Sequence, residues 1–152
     1  MNPVFISGGE ENIEILVVQA KIGNHDCRFM NGYGPQENQN IEERISFYAR
    51  LEQEVVNAKM FNNLICIEMD ANAKLGKDCI KSDPHPRSSN GDLLFEFCER
   101  NNLVICNTLD MYQGAITRQR KTVNGIEKSI LEMFIYLSSL IICVNQIFES
   151  ER

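Results

Sequence analysis

The chain carries only two histidines, His25 and His85, and neither has a cysteine or second histidine at ligand spacing, so no zinc site is implied. It has no G-x-x-x-x-G-K-[ST] segment, so the loop that cradles phosphates in nucleotide-binding enzymes is missing. It has no G-x-S-x-G elbow, which removes the usual sign of a serine hydrolase. The six cysteines (Cys27, Cys66, Cys79, Cys98, Cys106, Cys143) form no C-x-x-C pair, and several lie inside apolar runs. Met1-Asn2-Pro3-Val4 opens no basic segment followed by an apolar one, so the thiols read as reduced core residues. The expectation is an intracellular protein, cytoplasmic or nuclear and not secreted. Long apolar runs are missing too. The longest uncharged stretch, Met133 to Phe148, has 16 residues against the roughly 20 needed to span a bilayer, and Ser138, Ser139, Asn145 and Gln146 interrupt it. Positive charge is scarce: 15 Lys and Arg against 21 Asp and Glu leave a net −6. A dedicated nucleic-acid binder usually has the opposite balance, because neutralised phosphates supply much of its affinity. Any contact with DNA here must be local or helped by a bound cation.

What remains is the composition of one ordinary globular domain, 152 residues of which 43% are hydrophobic and 24% charged. Ile13 to Ile22 is apolar and rich in branched side chains, Gly23-Asn24 follows, and Asp26 to Tyr33 resumes an extended pattern, so the two read as a hairpin. Gly32, Gly34 and Pro35 end its second strand. Ile41 to Phe61 predicts a helix: Ile41, Ile45, Tyr48, Leu51 and Val55 recur at three- and four-residue steps, leaving Glu42, Glu43, Arg44, Arg50 and Glu52 for the wet side. Leu64 to Ile67 is a short continuous apolar run, as in a strand covered on both faces. Residues 77–89 predict a surface loop with His85 exposed. Ser89 is expected to cap a second helix, with Asp92 reaching back and Leu94, Phe97 and Cys98 facing the core. Leu103 to Cys106 is another strand. Thr117 to Val123 and Ile126 to Leu137 flank Asn124-Gly125 as a second hairpin. The order β-β-α-β-α-β-β-β predicts an α/β (α+β) fold, a mixed sheet with its helices on one face. Residues 1–12 are expected to be an unstructured leader, 13–137 the domain and 138–152 a tail of unassigned structure.

The most suggestive polar site is Asp70-x-Asn72, just past a buried strand, where α/β folds project polar groups into a cleft. A carboxylate there can orient a water or bind a hard cation, and the amide can hydrogen-bond a phosphate oxygen without adding charge. The blander reading is that both side chains stabilise a turn. Tyr33, within Asn31-Gly32-Tyr33-Gly34-Pro35, is at another strand end. Its hydroxyl can donate to a phosphate oxygen as charge develops, or its ring can pack under the loop. Arg118-Gln119-Arg120-Lys121, with Lys128 nearby, is the one basic run. Arg118 and Arg120 share a strand face, either to contact a phosphate backbone or to guard a strand edge.

In this order the segments resemble the endonuclease/exonuclease/phosphatase family, and in particular the endonuclease region of non-LTR retrotransposons. Asn31-Gly32-Tyr33-Gly34-Pro35 is similar to the family's N-x-Y-x-P strand end, and Ile67 to Gly76 (IEMDANAKLG) to its G-D-F-N-A-K-x-G segment. Ser89 to Leu94 and Leu103 to Thr108 resemble its N-G-x-x-L helix and L-x-x-x-N-T strand. Thr117-Arg118 and Ser129-Ile130-Leu131-Glu132 resemble its threonine-basic strand and S-x-I-D strand. The match covers about residues 13–137 in unbroken order. It implies a four-layer αββα sandwich, here partial, and metal-assisted phosphodiester hydrolysis with Mg²⁺ or Mn²⁺ polarising the phosphoryl group. Carried over, Tyr33 bonds the scissile phosphate, Asp70 orients the attacking water and stands next to the metal, and Asn72 holds a phosphate oxygen. Glu132 takes the place of the S-x-I-D aspartate, Arg118 and Arg120 meet the substrate, and DNA is the implied partner.

Met1 to Asn12 offers no match to the family's N-terminal metal-binding Asn and Glu, and no terminal S-D-H follows Glu132. Met69 stands where the family has a glycine, and Ala71 where it has an aromatic residue. The expectation is therefore a truncated Mg²⁺-dependent endonuclease domain, weakly active or inactive as it stands. One alternative is a non-catalytic interaction module that self-associates through an open sheet. Another is a phosphatase of the same family.

Overall fold

Branched and aromatic residues at alternate positions favour extended chain, and the strands they form gather into one six-stranded sheet. In the computed structural model, residues 4–8, 14–80, 85–109, 118–123, 125–129 and 132–137 are described. The elements run β1 (Val4–Gly8), β2 (Ile15–Ile22), β3 (His25–Tyr33), α1 (Ile41–Met60), β4 (Leu64–Asp70), α2 (Ser89–Arg100), β5 (Leu103–Ile105), a 3₁₀ turn (Cys106–Thr108), β6 (Arg118–Thr122), β7 (Gly125–Ser129) and β8 (Glu132–Leu137). The sheet order is β1-β2-β3-β4-β8-β5, and β6 and β7 form a separate ribbon. The β3·β4 pair is parallel, with α1 as its crossover, and the other pairs are antiparallel.

One transverse row explains the core. Val17 pairs with Met30, Met30 with Ile67, Ile67 with Ile135, and Ile135 with Ile105, so five strands place an apolar side chain at the same level. All five are 5% exposed or less. Phe47, Leu51 and Val55 of α1 and Leu94 and Phe97 of α2 belong to the same buried cluster, which puts both helices on one face of the sheet. This is the expected α/β arrangement, a mixed sheet with its helices on one face.

Several expectations need correction. Val4–Gly8, assigned to an unstructured leader, forms β1 and pairs with β2 through an irregular register at Phe5/Ser7. Five residues are too few to show a period. The run Ile126 to Leu137 is not one strand: β7 closes the hairpin at Gly125, while β8 leaves it and inserts between β4 and β5. The tail 138–152 lies outside the described residues.

The buried side of α1 is also rotated. Arg44 is 8% exposed and Phe47 1%, whereas Ile41 and Ile45 are 45% and 51% exposed. A guanidinium can take that place because it is paired: Arg44 Nη1 donates to Asn90 Oδ1 and Ser89 Oγ, both at 3.1 Å. Asn40 caps the helix through Oδ1, which accepts from the Glu42 amide at 3.1 Å, and Glu42, Glu43 and Lys59 complement its dipole. For α2 the cap is Ser88, whose hydroxyl accepts from the Gly91 amide at 3.2 Å, one residue before the expected Ser89. The loop after Gly76 is not wholly superficial, since Ile80 is fully buried and His85 is half-buried.

Tyr48 is 3% exposed, with its hydroxyl buried and unpartnered among the described residues. A buried hydroxyl without a partner costs about 1–3 kcal/mol. Tyr48→Phe should therefore raise the urea midpoint, by about 1 kcal/mol of stability, without changing the slope.

Burial also pushes the Cys98 thiol up, from an ordinary value of 9.0 to about 12. Its neighbour Tyr48 is raised as well, chiefly by burial and then by Cys98 and Glu37. Both groups stay neutral in the fold and ionise sooner when it opens. Their contribution is complete below about pH 9 and is lost as pH climbs toward about 12. Urea midpoints should hold up to about pH 9 and fall above it, less steeply in Cys98→Ala.

Candidate active site

A strand reverses the face it presents with each residue, so a step of three from the core row reaches the opposite face, about 10 Å further along. Three residues beyond Met30, Ile67 and Ile135 are Tyr33, Asp70 and Glu132. Tyr33 pairs with Asp70, and Asp70 pairs with Glu132. The register therefore lines up three of the sequence-predicted catalytic positions across β3, β4 and β8, and Tyr33 and Asp70 lie on the side of the sheet away from the helices. Tyr33 is 55% exposed, and Asp70 is half-buried.

The loops leaving these strands are tied together. The Gly34 amide donates to the Asp70 carbonyl at 2.7 Å, extending the β3·β4 ladder by one bond. A Cβ on Gly34 would lie 2.8 Å from the Ala71 carbonyl oxygen, so only glycine allows this approach. Asn72 adopts φ 44°, a left-handed conformation that asparagine tolerates. Its amide N–H donates to Asp70 Oδ1 at 3.2 Å, and its Nδ2 donates to the Gly34 carbonyl at 2.8 Å. The turn-stabilising role weighed for Asp70 and Asn72 is thus present. It uses one Asp70 oxygen, the Asn72 backbone N–H and one of the two Nδ2 N–H groups, which among the described residues leaves the second oxygen and the second Nδ2 N–H for a ligand.

Two residues that sequence reasoning passed over share this face. Asn31 and Glu68 pair in register, two positions before Tyr33 and Asp70, and both are exposed. The signal was legible: a glutamate two residues before Asp70 in a strand must point the same way. The thiols nearby are shifted away from the reactive thiolate form. Burial first, then Glu68 and Cys27, push Cys66 up, and burial with Cys66 raises Cys106 to about 11. The Arg118 and Arg120 backbones lie in the β6–β7 ribbon, where Arg118 pairs with Ser129 and Arg120 with Glu127. Strand pairing does not bring them to the row.

A Mg²⁺ or Mn²⁺ ion needs hard oxygen donors, and Mg²⁺ is commonly held by one or two carboxylates with water and substrate phosphate. Asp70 and Glu68 supply that minimum. Among the described residues no group of three His, Cys, Asp or Glu side chains is placed to hold an ion, so there is no all-protein cage. A concavity of about 480 Å³ is lined by Glu14, Pro35, Gln39, Glu42, Glu43, Ser46 and Arg50. It is open, with three carboxylates, and neither Tyr33 nor Asp70 lines it. None of the candidate catalytic residues lines it, and the register-built row is the better candidate.

No family model and no curated protein sequence matches the chain. Solved structures do. The endonuclease domain of TRAS1, a telomere-specific non-LTR retrotransposon, aligns with a TM-score of 0.62 at 18% identity, over 84% of this chain and 52% of that one. The two share a fold. D. rerio TDP2, solved in complex with a single-strand DNA product, aligns with a TM-score of 0.52 at 10% identity, over 91% of this chain and 52% of that one. The chain thus spans about half the length of each of these two structures. No helix among the described residues is long and apolar enough to cross a membrane.

Proposed function

We propose that the chain is part of a metal-dependent phosphodiesterase of the endonuclease/exonuclease/phosphatase type, a DNA endonuclease domain of retrotransposon origin with weak activity as it stands. The observation that carries this reading is the Tyr33–Asp70–Glu132 row, formed by neighbouring strands at one level of the sheet, in a fold similar to that of a retrotransposon endonuclease domain. Asp70 orients the attacking water with its half-exposed carboxylate. The Tyr33 hydroxyl donates to a phosphate oxygen as negative charge grows on it, and the second Asn72 N–H does the same from the neighbouring loop. Glu132, the register partner of Asp70, takes part in proton transfer. Arg118 and Arg120 meet the DNA backbone from the ribbon. Mg²⁺ or Mn²⁺, when bound, is held by Asp70 with Glu68 and neutralises charge on the phosphoryl group. That neutralisation matters here, because Glu68, Asp70 and Glu132 put three acidic positions where a polyanion must approach.

The test is incubation of the folded chain with supercoiled plasmid and Mg²⁺ or Mn²⁺. Slow conversion to nicked circles that stops with a chelator is the expected result. A folded chain that leaves the plasmid supercoiled with either metal rejects the reading. Phosphate release from a phosphomonoester without nicking would move it to a phosphatase.

A further inference from the structure

The proposed chemistry depends on how two loops are held, and one side chain outside the row joins them. Asn90, in the first turn of α2, is 0% exposed. Its Nδ2 donates to the Pro35 carbonyl at 2.7 Å and to the Asn72 carbonyl at 3.1 Å. Its Oδ1 accepts from Arg44 Nη1 at 3.1 Å, and its backbone N–H donates to Glu37 at 3.1 Å. Both amide N–H groups and the amide oxygen are therefore engaged.

The placement of the two carbonyls is what gives these bonds a role. Pro35 lies two residues past Tyr33, and Asn72 two residues past Asp70, while Tyr33 and Asp70 are register partners. The β3·β4 ladder ends at the bond from Gly34 to Asp70, and the Asn72 side chain crosses to the Gly34 carbonyl. Asn90 bridges the same two chains at the next step, where no ladder bond is left to do so. A buried amide with its partners fully assigned has one arrangement, so it fixes both loops relative to α2. Arg44 fixes Asn90 in turn, and because a guanidinium only donates, it presents the amide oxygen to itself and aims the NH₂ group at the two carbonyls.

We infer that Asn90 is a positioning residue that sets the separation of the Tyr33 hydroxyl and the Asp70 carboxylate. This rests on the proposed phosphodiesterase reading, and it adds to that reading a residue that touches neither metal nor substrate. Small displacements of reacting groups are costly, with about 1 Å of misplacement worth about 10²-fold in rate.

The test compares wild type with Asn90→Asp, which keeps size and the Arg44 partner but turns an oxygen toward the carbonyls, and with Asn90→Ala. The first readout needs no activity: hydrogen exchange of the Gly34 and Asn72 amides, referenced to the Ile67 amide in mid-strand. Both probes should exchange at least about tenfold faster in Asn90→Asp while Ile67 is unchanged. The second is metal-dependent nicking, where kcat should fall about tenfold or more with KM within about twofold. Unchanged exchange at Gly34 and Asn72 in both variants overturns the inference, as does wild-type kcat in Asn90→Asp. A merely structural role would speed exchange at all three amides together, and that result overturns it too. If wild type itself does not nick, the phosphodiesterase reading falls, and the exchange pattern alone decides whether Asn90 sets the two loops.

Discussion

Asp70→Ala should lower metal-dependent nicking by about 10²–10³-fold or more, with the melting transition nearly unchanged. The large effect on rate comes from what the carboxylate does in the proposed site, where it orients the water and supplies a hard oxygen for the cation. The small effect on stability comes from how little it holds. Among the described residues its side chain makes one hydrogen bond, from the Asn72 amide at 3.2 Å, worth about 1 kcal/mol, and it is half-exposed. The link between the strand ends uses the Asp70 carbonyl instead, and alanine keeps that group. Tyr33→Phe should cost less than Asp70→Ala, because it removes one neutral donor and leaves the metal carboxylate. Equal nicking by wild type and Asp70→Ala would show that the activity arises elsewhere.

Gly91→Ala should be the most damaging conservative change in the scaffold. In an exposed helix interior, replacing glycine by alanine gains about 1 kcal/mol. At Gly91 the added Cβ would lie 2.1 Å from the Lys74 carbonyl oxygen and 3.0 Å from both the Lys74 carbonyl carbon and Arg87 Cγ. The arginine stem can move, but the backbone carbonyl cannot move freely, because it accepts from the Ser88 amide at 2.9 Å. Overpacking of this kind costs about 1–3 kcal/mol and sometimes more, and the loss of the cap geometry adds about 1. The clash outweighs the propensity gain, so a net destabilisation of about 2–3 kcal/mol is expected by urea unfolding. A stabilised Gly91→Ala would mean that α2 does not dock on the Lys74 segment as described.

Much of the scaffold was legible because period and punctuation agree there. Both helices, the β2–β3 hairpin, β4, β5 and the antiparallel pairing of β6 with β7 follow from apolar spacing and from residues that suit special backbone angles. The failures have separate causes. The strand β1 carries too few residues to show an alternation. The boundary between β7 and β8 was invisible because Ile126 to Leu137 continues without a glycine or proline, and only the vacancy between β4 and β5 separates the two strands. Arg44 was assigned to solvent from its charge, since nothing local reveals Asn90 as its partner 46 residues away. Glu68 is hidden for a different reason: it directly follows the apolar run Leu64 to Ile67, and only the strand face it shares with Asp70 marks it. Tyr33, Asp70 and Glu132 were read separately from motifs. That they form one row depends on strand register, a long-range property that no local segment encodes.

The row and the core also share a single phase. Ile67 and Asp70 are an odd number of residues apart on one strand, as are Met30 and Tyr33, and Ile135 and Glu132. A one-residue deletion or insertion between Ile67 and Asp70 would turn the carboxylate toward Phe47 and Leu51, or else drive Ile67 out of the core. Point substitutions can explore the chemistry of this site one residue at a time. Changes in length cannot, unless the fold is lost with them or they come in pairs, and the lineage of such a chain should tolerate drift in its letters far better than drift in its spacing.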